Sequence, residues 1–170
     1  MTTRLRFLVA LGVFAIFGLC FGAACAGRAS SPTPSEPVGA IFFTTLAQTA
    51  VPGQSGGQLR QVIRDSATWA QVWADLRAGS SLPATPPAVD FQIDMVIVAA
   101  LATQPCVSQV TVRAITGDAG KNGNIRVDVL EEPPAANCRC MVSQRPFHAV
   151  RLPRTDGAVQ FTVTSTPRAC

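Results

Sequence analysis

Residues 95–101 read Met-Val-Ile-Val-Ala-Ala-Leu, an unbroken apolar run of strand length. A run of this kind, entered through Val89-Asp90-Phe91, reads as a central strand buried on both faces. Its neighbours alternate instead. Val110, Val112 and Ala114 are separated by Thr111 and Arg113, and Ile125, Val127 and Val129 by Arg126 and Asp128. That period of two marks half-buried strands. The turn-forming stretch 117–123 between them predicts a β-hairpin. Further strands are expected at 38–46 and 61–64, at 138–152 with an interruption at Pro146, and at 159–163 after a turn at 153–157.

One helix is expected. Asp65 or Ser66 supplies an N-cap oxygen for the free amides of the first turn. Trp69, Val72, Trp73 and Leu76 then recur at i, i+3, i+4 and i+7, a single helical stripe, and Gly79 stops it. Two tryptophans on one stripe read as anchors against a sheet, because aromatic side chains dominate core burial. The expectation is an α+β fold: a mainly antiparallel sheet of about six or seven strands with one principal amphipathic helix packed on it.

The N-terminus carries a different signal. Arg4 and Arg6 precede an apolar run that exits through Gly22-Ala23-Ala24-Cys25-Ala26-Gly27. This is the pattern of a secretory signal. Two processing routes fit it. Ala24-Cys25-Ala26 suits ordinary cleavage after small residues, and Gly22-Ala23-Ala24-Cys25 resembles a bacterial lipobox, with Gly22 where leucine is usual. Residues 28–37 (RASSPTPSEP) form a Ser/Pro-rich tether. A cysteine followed by a tether suits a lipoprotein, so Cys25 is the expected lipidation site. The layout is a signal at 1–24, a tether at 25–37 and a folded domain at 38–170. The expected location is the cell envelope, periplasmic or at the outer membrane, with secretion as the alternative. Without Arg4 and Arg6 the chain holds 12 basic against 10 acidic residues, net +2. That is too weak and scattered for a nucleic-acid surface.

Beyond Cys20 and Cys25, four cysteines remain: Cys106, Cys138, Cys140 and Cys170. An even number in an exported domain predicts two disulfides, with three connectivities possible. Cys138 and Cys140 share a strand face and are not expected to join each other. A hairpin at 153–157 that sets Leu152 opposite Ala158 would place Cys140 opposite Cys170. The expected pairs are therefore Cys140–Cys170 and Cys106–Cys138. The competing use is a metal site from Cys138, Cys140 and His148, the only histidine. Zinc sites more often use C-x2-C or C-x4-C spacing.

No H-E-x-x-H or P-loop is present, and the G-x-S-x-G letters at 53–57 fall in a stretch that reads as a flexible turn. Glu131-Glu132 before Pro133-Pro134 reads as a solvated strand end, and Asp90 with Asp94 as a strand entrance. No catalytic residue, cofactor site or bound cofactor is expected.

The ordered set Trp69-x-x-x-Trp73, then Val89-Asp90-Phe91 leading to Met95-Val96, then Pro146-Phe147-His148-x-Val150-x-Leu152-Pro153 resembles the C-terminal domain family named for protease complex subunit PrcB. The likeness runs from about Ile41 to Val163. It departs where the family often has a glycine turn: here the segment is Ala102-Thr103-Gln104-Pro105-Cys106. The resemblance implies a non-catalytic accessory domain of the envelope, often lipoprotein-linked, that stabilises a surface protease complex. The implied partner is a protein, an envelope protease among the candidates, with membrane contact through Cys25. It marks Trp69, Trp73, Asp90, Phe91, Pro146 and His148 as pattern positions of structural rather than catalytic use.

Overall fold

The structure is a computed structural model that describes residues 39–53, 55–118, 120 and 122–170. The expected signal and tether, with Cys25, lie outside the described residues. In chain order the elements are β1 (Gly39–Ala40), β2 (Thr44–Pro52), β3 (Leu59–Ile63), α1 (Ser66–Arg77), β4 (Asp94–Ala100) and β5 (Gln104–Pro105). β6 (Gln109–Gly117), β7 (Ile125–Glu132), β8 (Ser143–Pro153) and β9 (Val159–Ser165) follow.

The strands form two sheets, not the single sheet expected. One has the order β1-β6-β7-β9. The other has the order β2-β8-β4-β3, with β5 also pairing β8. The helix and the largely antiparallel pairing are as expected, but the described strands number nine. The reason for two sheets lies in β4. Met95, Ile97, Ala99 and Leu101 point into the space between the sheets, where they meet Val112, Ile115, Val127 and Val129. Val96, Val98 and Ala100 point the other way and meet Trp69, Trp73 and Leu76 of α1. Two-sided burial needs two covers, and the second sheet is the one the single-sheet expectation lacked. Full burial of a side chain of this size contributes about 1.5–3 kcal/mol.

Helix α1 begins where the sequence indicates. Asp65 accepts the Thr68 amide at 2.8 Å. That bond holds its carboxyl below the usual carboxylate range. Gly79 adopts φ +74°, just past the C-cap Ala78. Both tryptophans are buried, and their indole N–H groups donate to the Pro87 and Pro83 carbonyls at 3.0 and 2.9 Å. The proline-rich loop is thereby laid across the helix.

Three local expectations change. Residues 38–46 are not one strand: β1 and β2 belong to different sheets, and Ile41 and Phe43 cross between them against the inter-sheet core. β8 runs unbroken through Pro146. The Pro146 carbonyl accepts the Leu101 amide just past the end of β4, so the missing proline N–H falls where that ladder stops. Residues 138–142 are loop, so Cys138 and Cys140 share no strand face.

The largest correction concerns β9. It does not fold back on β8 as a hairpin. It crosses to the other sheet and runs parallel to β7, with Ile125 opposite Val159 and Glu131 opposite Ser165. The register that aligned Cys140 with Cys170 therefore does not exist. The disulfides are Cys106–Cys140 and Cys138–Cys170, with Cα separations of 5.0 and 5.5 Å. Each closes a loop of roughly 30 residues and stabilises by about 3–4 kcal/mol in the loop-entropy account.

Candidate functional site

His148 shows what its lone occurrence means. Its imidazole is buried between the sheets and serves as a brace. The Val112 amide donates to Nδ1 at 2.9 Å, and Nε2 lies 2.9 Å from Thr45 Oγ1. An Nδ1 that accepts fixes the neutral tautomer with the proton on Nε2, which donates to the threonine. Burial pushes its pKa below the ordinary histidine value. The Val112 amide needs such a partner because β6 bulges between Val112 and Ala114.

The proposed metal ligands are not brought together. Cys138 and Cys140 sit in different disulfides, and both His148 nitrogens are occupied inside the sandwich. Asp90 and Asp94 are also separate. Asp90 caps its own turn through the Gln92 amide at 3.0 Å, and Asp94 faces Arg151 at 3.6 Å. The Glu131-Glu132 reading needs correction. Glu131 is buried, not solvated, and binds Arg60 of β3 together with the Gln58 amide group at 3.0 Å. It continues the inward series Ile125, Val127, Val129, so the period-two pattern already contained it. Arg145 had no such sequence signal. It is buried, pairs with Asp75 of α1 at 2.7 Å and donates to the Gly57 carbonyl at 3.1 Å. A Cβ on Gly56 would lie 2.5 Å from its guanidinium carbon, so a larger residue there would push the Arg145 head aside.

The end of the sandwich at Pro153 and Asp118 carries an open cleft of about 660 Å³ lined by Ile41, Ile93, Asp118, Arg154 and Thr155 among others. Its polar groups mainly tie loops together. Arg154 donates to the Phe91 and Arg64 carbonyls at 2.7 and 3.2 Å, and Thr155 Oγ1 to the Gly123 carbonyl.

The opposite end holds both disulfides. Cys106–Cys140 fastens the 138–142 loop to β5, and the Cys106 amide donates to the Val142 carbonyl at 3.1 Å. Three apolar side chains stand out from this rigid loop pair: Val107 at 66% exposure, Met141 at 104% and Val142 at 60%. Cys138–Cys170 fastens the chain just after β9, where Pro134 and Arg168 also bridge.

The edges of the four-stranded sheet complete the surface. On the β6 side, several polar groups are answered. The Ile115 carbonyl accepts from the Ile41 amide at 2.8 Å, the Val110 carbonyl from Gln48 Nε2 at 3.1 Å, and the Val112 amide reaches His148. On the β9 side they are not. The Ala158 carbonyl and the Thr166 and Arg168 amides all point to the β7 segment. Alternation then turns the N–H and C=O groups of Val159, Phe161, Val163 and Ser165 outward. Among the described residues, no hydrogen bond meets that outer row.

No family model, curated protein or solved structure matches this chain. The likeness to the protease-complex family rests on the ordered motifs alone. Of the pattern residues, Trp69, Trp73, Pro146 and His148 are buried, Phe91 is half-buried and Asp90 is exposed. The two disulfides place the folded domain in an oxidising, non-cytoplasmic setting. Among the described residues no helix is long and apolar enough to cross a membrane.

Proposed function

We propose that this chain is a non-catalytic exported accessory domain, carried as a lipoprotein through Cys25, that docks onto a protein partner. The partner class implied by the family resemblance is a component of an envelope protease complex. The observation that supports docking is the disulfide-held loop pair with Val107, Met141 and Val142 exposed. The disulfide limits the backbone ordering that docking would cost, and the three exposed apolar side chains offer surface to bury.

A site-specific photocrosslinker tests this reading in the native envelope. Placed at Met141, it should give one discrete protein adduct, lost when Val142→Asp is added. Placed at Gln92 on the opposite end, it should not give that adduct. Identical adducts from both positions, or none from Met141, would sink the docking reading. Acyl chains on Cys25 in the intact mass of the purified protein test the lipoprotein part separately.

A further inference from the structure

The outer edge of β9 fits a second copy of the same strand. Native sheets protect their edges with lysine, proline, bulges or short strands. β9 has none of these. Its seven residues, Val-Gln-Phe-Thr-Val-Thr-Ser, carry no charge and no proline, and its register with β7 is regular throughout. Arg168, the first charged residue after it, is held back by Gln109 at 3.0 Å. The strand cannot drift, because Cys138–Cys170 and the Pro134–Arg168 bridge fix the chain at its C-terminal end.

We infer that the protein forms a twofold dimer in which β9 pairs antiparallel with the partner's β9, centred on Thr162. The sequence is self-complementary in that register. Outward-facing residues meet outward-facing residues: Phe161 lies opposite the partner's Val163, and Val159 opposite the partner's Ser165. Each such pair exchanges both N–H···O bonds. Phe161 beside Val163 is an aromatic–β-branched cross-strand pair, a favourable combination, and it covers Val163, which is 37% exposed in the single chain. On the solvent face Gln160 meets the partner's Thr164, and Thr162 meets its own copy. No like charges oppose. The interface is isologous, as a closed dimer requires, and joins two four-stranded sheets into one. A foreign strand could use the same backbone row, but the uncharged, symmetric pairing favours this chain itself. The inference does not depend on the Met141 surface and can stand if that surface fails.

Sedimentation equilibrium of the mature oxidised protein, in density-matched detergent if lipidated, should show mass rising to twice that of the monomer with concentration. Val163→Pro deletes one outward N–H and leaves the β7 ladder intact, so a folded monomer is expected. Charge pairing tests the register. The double variant Gln160→Lys/Thr164→Lys sets lysines against lysines across the axis and should be monomeric, and Gln160→Glu/Thr164→Glu likewise. Mixing the two should restore a dimer. Circular dichroism confirms that each variant is folded. A monomeric wild type at every concentration would overturn the inference. So would a dimer untouched by Val163→Pro, or charged variants that fail to dimerise on mixing.

Discussion

The two sides of the four-stranded sheet have opposite fates. On the β6 side the polar row is met by the Ile41 amide, by Gln48 and by a buried histidine. On the β9 side the outward row of Val159, Phe161, Val163 and Ser165 meets nothing among the described residues. Both sides come from the same sheet and have similar strand lengths. The difference is that β1 and Gln48 of β2 reach the β6 side, while β9 pairs only with β7. One edge is closed by the fold and the other is left for association, with a disulfide to keep it straight.

Removing the Cys138–Cys170 clamp should break this contrast most strongly. The pair Cys138→Ser and Cys170→Ser should cost about 3–4 kcal/mol in urea denaturation. Hydrogen exchange should show the β9 amides opening first while β6 stays protected. Cys106→Ser with Cys140→Ser should cost a similar amount yet leave β9 protected. Equal β9 exchange in the two pairs would remove the special role of the clamp. Next in size is Glu131→Ala on β7, which leaves Arg60 without its carboxylate. Loss of a buried ion-pair partner is expensive, but the Arg60 side chain is 28% exposed and partly hydrated. The expected loss is about 2–3 kcal/mol by thermal denaturation. An unchanged midpoint would show that the pair contributes nothing net.

Much of this architecture was legible in residue patterns. The run at 95–101 told of two-sided burial, and the Trp-x-x-x-Trp stripe with its Asp65 cap told of α1. What escaped was non-local. The 153–157 turn reads as a hairpin because adjacent antiparallel strands are the commonest solution. Yet the chain there crosses to the other sheet, with Arg64 donating to the Thr155 and Gly157 carbonyls at 2.8 and 3.1 Å. Those partners lie about 90 residues away in the chain. The disulfide pairing failed with that turn, since it was inferred from the same register. Glu131 was within reach by extending the β7 alternation one step, but its position next to Glu132 and two prolines suggested solvent. The exposed apolar loop had no sequence signature, because Met141 and Val142 look like strand residues until Cys106–Cys140 holds the segment as a loop.

A smaller effect sharpens the account of the closed edge. His148 must be neutral to accept from Val112, and its folded pKa lies below the ordinary value of 6.5. The unfolded chain therefore takes up a proton first as pH falls. Stability is whole above that value and declines as pH drops through 6.5, until the folded imidazole is also protonated. His148→Gln keeps an acceptor for the Val112 amide and should lose about 1–2 kcal/mol at neutral pH. Its stability should then be flatter between neutral and mildly acidic pH than the wild type's. Parallel curves for the two proteins would assign the acid sensitivity elsewhere.

The smallest effect concerns the guard itself. Gln48 is held to β6 by one amide group, which donates to the Val110 carbonyl and to Thr111 Oγ1 at 3.0 Å. Gln48→Ala should cost only about 0.5–1 kcal/mol, the net worth of an accessible hydrogen bond. It exposes a carbonyl on a β6 side that still has His148 and Ile41 in place, so the edge opens at one point and not along its length. Self-association should therefore rise only slightly, and should persist when Val163→Pro has disabled β9. If Gln48→Ala with Val163→Pro associates no more than Val163→Pro alone, one side chain is not the guard. The closure of the β6 edge then belongs to β1, the Ile41 amide and His148.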